Sequence, residues 1–413
     1  MRVGMVSHWY DPEGGAAAGP GTIARALHQR GHRVDVVTGF PIYPSGRVAD
    51  GYRIRPYQRQ VMEGVAVHRA PIYPSHDDRA MHRMANYLSF AASGSAVATA
   101  TLKRSDVLYV YSSPATAAIP ALPLSVVGRI PMVVHIQDLW PQTVTASGFV
   151  ADAPAGRMER ALHRFCDLVY SRATTIAVSS PGMADLIADR GIPRGKLRFL
   201  PNWAEEKSFH PTPKDRALES SLGLKGTFTA MYAGNFGEMQ QLDTVLDAAA
   251  LLLPDPDIEI VLVGDGVMAT HLRRRVDSEG LTNVKFVAPQ PFKQMSAVLA
   301  LGDVQLISLK DVPLYRSTLP SKLQATLAAG RPVIGALSGD AASIIADSKA
   351  GLVTAPGDPY ELSMAIRSMK DAGHDWRVAA GLSARTFYAQ HFSEQAIGDE
   401  LVSILTDASK SAT

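Results

Sequence analysis

Short runs of β-branched and apolar residues, each with helical sequence beside it, recur along this 413-residue chain and limit its fold more than any other feature. A first series falls at residues 3–7, 34–38, 107–111, 132–136 and 175–178. Apolar strands separated by helices belong to a parallel sheet buried on both faces, because βαβ crossovers lay helices over it. A second series follows at 228–232, 259–263, 284–286, 304–307 and 333–334. Residues 40–75, rich in Pro and Tyr, are less regular and read as an insertion with one hairpin around Glu63-Gly64.

Two such series, on a chain with 46% hydrophobic residues, imply two cores. Pro201, Pro211 and Pro213 mark the junction, giving domains at 1–200 and 201–389. A single cysteine, Cys166, excludes a disulfide framework and argues against a zinc site. The chain opens on a strand rather than a signal-peptide core, and no stretch approaches the roughly 20 apolar residues of a bilayer span. The expectation is a cytoplasmic protein.

Four loops lie where an α/β sheet places ligands, outside the carboxyl ends of its strands. The most informative is Pro320-Ser321-Lys322, which opens a helix that Gly330 closes. Free N–H groups, the helix dipole and an ammonium in the first turn all favour an anion of diphosphate size. Taken alone, Ser321 could simply cap the helix. Gly14-Gly15, between the first strand and the 21–30 helix that Gly31-His32 stops, allows close approach to a phosphate or sugar. It lacks the spacing of a dinucleotide fingerprint. Gly234-Asn235-Phe236-Gly237 and Gly264-Asp265-Gly266 follow two strands of the second series, and tight turns explain their glycines equally well.

Asp138, just past the 132–136 strand, could orient an acceptor hydroxyl, take its proton, or hydrogen-bond a sugar. It could also cap a helix before Leu139. His135 is the alternative titratable group, against its reading as a satisfied core residue.

Together these segments resemble the retaining nucleotide-sugar glycosyltransferases of family four. The resemblance includes His8-Trp9-Tyr10-Asp11-Pro12-Glu13-Gly14-Gly15, Gln137-Asp138-Leu139-Trp140-Pro141, Leu200-Pro201-Asn202-Trp203, Gly234-Asn235, Gly264-Asp265-Gly266 and Pro320-Ser321-Lys322. It runs over nearly the whole length and looks especially like the bacterial branch containing fucosamine transferases of the WbuB type. It implies the GT-B architecture: α/β, two Rossmann-like domains with parallel sheets facing a central cleft. The first would take the acceptor and the second the donor, and a last helix, at about 390–413, would return to the first.

The resemblance also implies residue roles. Gly14 and Gly15 would meet the donor by their backbone, and Lys322, with the Ser321 and Leu323 amides, would hold the diphosphate after Pro320. Asn235 stands where most members carry an arginine, and Gln240 near their second cation, so Arg316 is the auxiliary candidate. Two glutamates of the family fall at Ser317 and Ala325, and alanine cannot bind ribose hydroxyls. Gln324 is adjacent but rotated about 100° around the helix. Gly234, Gly264 and Asp265 complete the expected donor set.

The implied reaction moves a hexose or N-acetylhexosamine from a nucleoside diphosphate sugar, UDP-linked by preference, with retention. No cofactor beyond this co-substrate is expected. No metal is expected either, since Asp77-Asp78 and Asp255-Pro256-Asp257 lack Asp-x-Asp spacing. A noncatalytic nucleotide-sugar-binding subunit and a GT-B epimerase are the alternatives.

The acceptor is expected to be a glycan or a polyprenyl-diphosphate-linked sugar. Residues 1–200 carry 22 Lys+Arg against 14 Asp+Glu, and 20 of those cations are arginine. With the mixed cationic and apolar segment 79–90, this excess suggests contact with the inner face of the cell membrane, although such a segment can equally dock on the core. No aromatic platform or recognition helix points to nucleic acid.

Overall fold

Strand order follows from the crossovers. The computed structural model describes residues 1–75, 80–143 and 155–411. They form two compact units: Met1–Pro201 with the chain from Gly398 onward, and Asn202–Ile397.

In the first unit, β1 (Arg2–Ser7), β2 (Arg33–Gly39), β3 (Gln58–Met62), β4 (Val65–Ala70), β5 (Val107–Ser112), β6 (Met132–Ile136), β7 (Thr175–Val178) and β8 (Leu197–Phe199) make one sheet. Its order is β3-β4-β2-β1-β5-β6-β7-β8, parallel except for β3. Every residue of β5 and β6 is buried, as the uninterrupted apolar runs require. Strand order reverses at β1 and β5, so their carboxyl ends flank the switch point where such sheets bind ligands.

The segment read as an insertion is part of the sheet. β4 pairs parallel with β2, and β3 returns antiparallel along β4 as the edge. Glu63 and Gly64, with φ of 48° and 84°, form the two-residue turn between Met62 and Val65. Two positive φ angles match the twist of a hairpin, and glycine adopts one without strain.

In the second unit, β9 (Phe228–Ala233), β10 (Ile258–Val263), β11 (Val284–Val287), β12 (Val304–Ser308), β13 (Val333–Ala336) and β14 (Gly351–Thr354) form an all-parallel sheet. The order is β11-β10-β9-β12-β13-β14, reversing between β9 and β12. Ala230, Tyr232, Ile260 and Leu262 pack into one core, while Met231, Val261 and Val263 pack into another. Alternate residues of the same strands thus bury both faces.

The carboxyl ends of β9 and β10 touch through glycine backbone. Gly234 donates its N–H to the Val263 carbonyl at 2.9 Å, and a Cβ on Gly264 would lie 2.0 Å from the Gly234 oxygen. Gly264 also has φ of +142°. Gly264→Ala should therefore cost about 2–4 kcal/mol through strain and overpacking. The check is the urea midpoint at unchanged m-value. An unaltered midpoint would mean the two strand ends separate freely.

Candidate active site

Lysine 322 sits where the second sheet's crossover puts it, in the first turn of the Ser321–Ala328 helix after β12. Pro320, not Ser321, occupies the cap position, and no side chain caps this end. The Leu323 amide donates to the Pro320 carbonyl at 2.9 Å, so it is not a free donor. The Ser321 and Lys322 amides have no acceptor among the described residues, and they carry the exposed positive end of the helix. Leu323 itself is a core residue at 1% exposure.

The Lys322 side chain runs back over β9. Its Nζ lies 5.1 Å from the centre of the Tyr232 ring, and its Cε occupies the place a Gly234 Cβ would need. Burial lowers the Lys322 pKa below the ordinary lysine value. A partly desolvated ammonium over an aromatic face, with no carboxylate partner among the described residues, gains most from an incoming anion. The Tyr232 hydroxyl donates to the Asn235 carbonyl at 2.7 Å and fixes the turn beneath it.

Asn235 is exposed, its side chain between Gly237 and Gly266, where added Cβ atoms would meet it at 2.9 and 2.6 Å. Asp265 is exposed and accepts from the Gly266 amide at 2.9 Å. Gln240 caps this loop, its Oε1 accepting from the Gly237 amide at 3.1 Å.

Two other residues are already engaged. Arg316 binds Asp311 through two hydrogen bonds of 2.7 and 2.8 Å, which neutralises its charge. Gln324 is buried and donates to the Asn202 carbonyl at 2.7 Å, fixing that residue to the helix. Ser317 follows the short Pro313–Arg316 helix and is half-buried.

In the first unit, Gly14 and Gly15 are exposed beyond β1, and nothing lies within 4 Å of a Cβ placed on Gly14. The loop is held from beneath by Glu13, only 5% exposed. Its carboxylate accepts from the amides of Tyr10 (3.0 Å), Ile42 (2.8 Å) and Tyr43 (2.8 Å). The sequence signal for this role of Glu13 is its position directly before two glycines. Arg69, fully buried, donates to the Gly39 carbonyl at 2.8 Å and to the Asp11 carbonyl, bracing the same loop.

Asp138 lies beyond β6, and Ser113, beyond β5, donates to its Oδ2 at 2.6 Å. Among the described residues its side chain makes no helix-capping hydrogen bond. Burial raises the Asp138 pKa against the opposing pull of the Ser113 hydrogen bond. Ser113 went unnoticed in the sequence because its partner is 25 residues away; adjacency of β5 and β6 brings them together.

His135 is a satisfied core residue. Its Nε2–H donates to the Leu200 carbonyl at 2.9 Å, so Nδ1 accepts from the Tyr109 hydroxyl at 2.6 Å. Burial lowers its pKa to about 4, keeping it neutral. Asp255 pairs with Arg367 and Asp257 with Lys370. No cluster of three metal-ligating side chains occurs among the described residues.

Comparison with known proteins agrees with this geometry. Residues 14–203 match the glycosyl transferase 4-like domain and residues 227–371 the glycosyl transferases group 1 domain. The putative colanic acid biosynthesis glycosyl transferase WcaI of Escherichia coli is 28% identical over 336 residues, covering 80% of this chain and 82% of that protein. The probable glycosyltransferase WbjE of Pseudomonas aeruginosa is 25% identical over 65% of this chain and 67% of its own length. Among solved structures, sucrose-phosphate synthase from Thermosynechococcus elongatus superposes with a TM-score of 0.74 at 17% identity, covering 99% of both chains. Anabaena HepE in complex with UDP gives 0.72 at 17% identity, covering 98% of this chain and 99% of that one. The two parallel-sheet units are those of the GT-B fold, and the chain belongs to the family-four glycosyltransferases.

Proposed function

We propose that this glycosyltransferase moves a hexose or N-acetylhexosamine from a UDP-sugar to a glycan or polyprenyl-diphosphate-linked acceptor in surface-polysaccharide assembly. The Lys322 seat carries the reading: an ammonium with no carboxylate partner among the described residues, beside two helix amides with no acceptor among them, at the carboxyl edge of the second sheet. Colanic acid biosynthesis by WcaI and the UDP complex of HepE support the substrate class. The finer placement with the fucosamine transferases rests on the motif set. No helix among the described residues is long and apolar enough to cross a membrane. Met81 (82% exposed) and Leu88 (51%) stand out on the Ala80–Thr101 helix, whose Phe90 is buried in the core. These two support peripheral membrane contact by the first unit; Arg79 lies outside the described residues.

In this reading the bond from the anomeric carbon to the β-phosphate oxygen breaks while the acceptor oxygen attacks the same face. The acceptor's proton passes to the departing phosphate, directly or through Asp138. Lys322 and the Ser321 and Lys322 amides stabilise the negative charge that develops on the leaving UDP, a role a metal ion fills in other enzymes. Gly14 and Gly15 approach the donor by backbone. Gly234, Asn235, Gly264 and Asp265 line the phosphate side, and Ser317 stays a candidate there.

Turnover with a panel of UDP-sugars, followed by NMR of the product's anomeric proton, tests the reaction. A retained configuration and undiminished rate in EDTA are expected; an inverted product or loss of activity on chelation would reject it. Asp138→Asn should lower kcat/KM by about 10²–10⁴-fold. Its folded pKa is raised, so ionisation at neutral pH costs stability rather than adding it, and the neutral amide should leave Tm equal or higher. Wild-type activity should accordingly fall with acidification above the ordinary aspartate range. Full activity in the Asn variant would remove Asp138 from the reaction.

A further inference from the structure

A second concave site lies at the opposite edge of the second unit's sheet. Gly302 and Asp303 precede β12, and Arg331 and Pro332 precede β13, so this cavity borders the amino ends of the strands. Its volume is about 560 Å³, within the range of small-ligand sites. The Ser321–Ala328 helix separates it from Lys322, which stands at that helix's other end.

The lining is strongly cationic. Lys214, Arg331, Arg377 and Arg385 face one lining carboxylate, Asp303. Lys214 pairs with Glu219 at 2.8 Å and lies 3.8 Å from Asp303, which stands 3.6 Å from Arg377, so Arg331 and Arg385 are left without a carboxylate among the described residues. Arg331 donates to the Thr212 carbonyl, while its buried Nε has no acceptor among the described residues. Arg385 donates to the Ala328 carbonyl at 3.1 Å.

Helix geometry explains why the arginines converge. The Gly373–His391 helix touches the Gly330 turn at Gly381, where a Cβ would lie 2.4 Å from the Gly330 oxygen. Arg377 and Arg385 stand one helical turn before and after that contact, on the same face. Val378 (46% exposed) and Leu382 (65%) add apolar surface beside them.

We propose that this cavity binds a phosphate-bearing ligand with an apolar part, at a site separate from the donor nucleotide's. Guanidinium forks match phosphoryl oxygens in pairs, and Arg331 and Arg385, without a carboxylate among the described residues and with Arg377 beside them, suit a multiply charged phosphate better than a single carboxylate. The apolar shelf of Val378 and Leu382 would take the rest of the molecule. A free phosphate compound and a lipid headgroup share this chemistry.

The test is calorimetric titration of the full chain with inorganic pyrophosphate, alongside cosedimentation with phosphatidylglycerol and phosphatidylcholine vesicles. Both run on the wild type, Lys322→Ala, Arg331→Gln, Arg385→Gln and Leu382→Asp. Pyrophosphate binding that survives in Lys322→Ala and weakens tenfold or more in both arginine variants is expected. Leu382→Asp changes an exposed side chain, so it keeps the fold while repelling the anion, and should show the same loss. Binding to phosphatidylglycerol alone, with the same pattern of loss, assigns the phosphate to a lipid headgroup. Absence of both kinds of binding, insensitivity to the arginine and Leu382 changes, or complete loss in Lys322→Ala overturns the proposal.

Discussion

Lys322 resting on glycine backbone and an aromatic ring is the contact around which the second unit is arranged. A side chain at position 234 would displace the lysine stem, and one at 264 would part β9 from β10. Tyr232, the last fully buried residue of β9, supplies the ring beneath the ammonium and, through its hydroxyl, the anchor for the Asn235 turn. Strand pairing, glycine placement and cation position are therefore one constraint. The electrostatic result is a positive charge raised in energy by desolvation, next to helix amides left open because proline caps without a side-chain acceptor.

The first unit solves a different problem with the same topology. Its ligand loop must be open, yet held. Glu13 and Arg69 accomplish this from below by hydrogen bonds to backbone, leaving Gly14 and Gly15 uncovered. Ser113 donates to the Asp138 carboxylate, and burial leaves Asp138 more basic than an ordinary aspartate. In the proposed reaction, a carboxylate made more basic by burial is a better acceptor for a hydroxyl proton than an ordinary aspartate.

The repeated apolar runs revealed most of both sheets, because fully buried parallel strands write themselves as continuous β-branched sequence. The ten expected strands lie within observed ones. β8 and β14 carry no such run: Leu197–Phe199 has two exposed residues of three, and Gly351–Thr354 opens on glycine with one buried residue of four. The 40–75 segment misled because its proline-rich loop hides β4, which only pairing with β2 reveals as part of the sheet. At the candidate site, backbone features were readable and side-chain commitments were not. The Pro320-Ser321-Lys322 helix start is visible in sequence, but the pairing of Arg316 with Asp311, of Gln324 with Asn202, and of Asp138 with Ser113 depends on tertiary neighbours.

Everything proposed for the donor rests on Lys322 holding a diphosphate without a metal ion. Calorimetric titration with UDP in EDTA, on the wild type and on Lys322→Ala, tests this most directly. Binding by the wild type and a loss of about 10- to 100-fold in the variant, equivalent to the roughly 1.5–3 kcal/mol of a charge-assisted hydrogen bond, is expected. Equal affinity in the two proteins, or binding that appears only when a divalent cation is supplied, would contradict it.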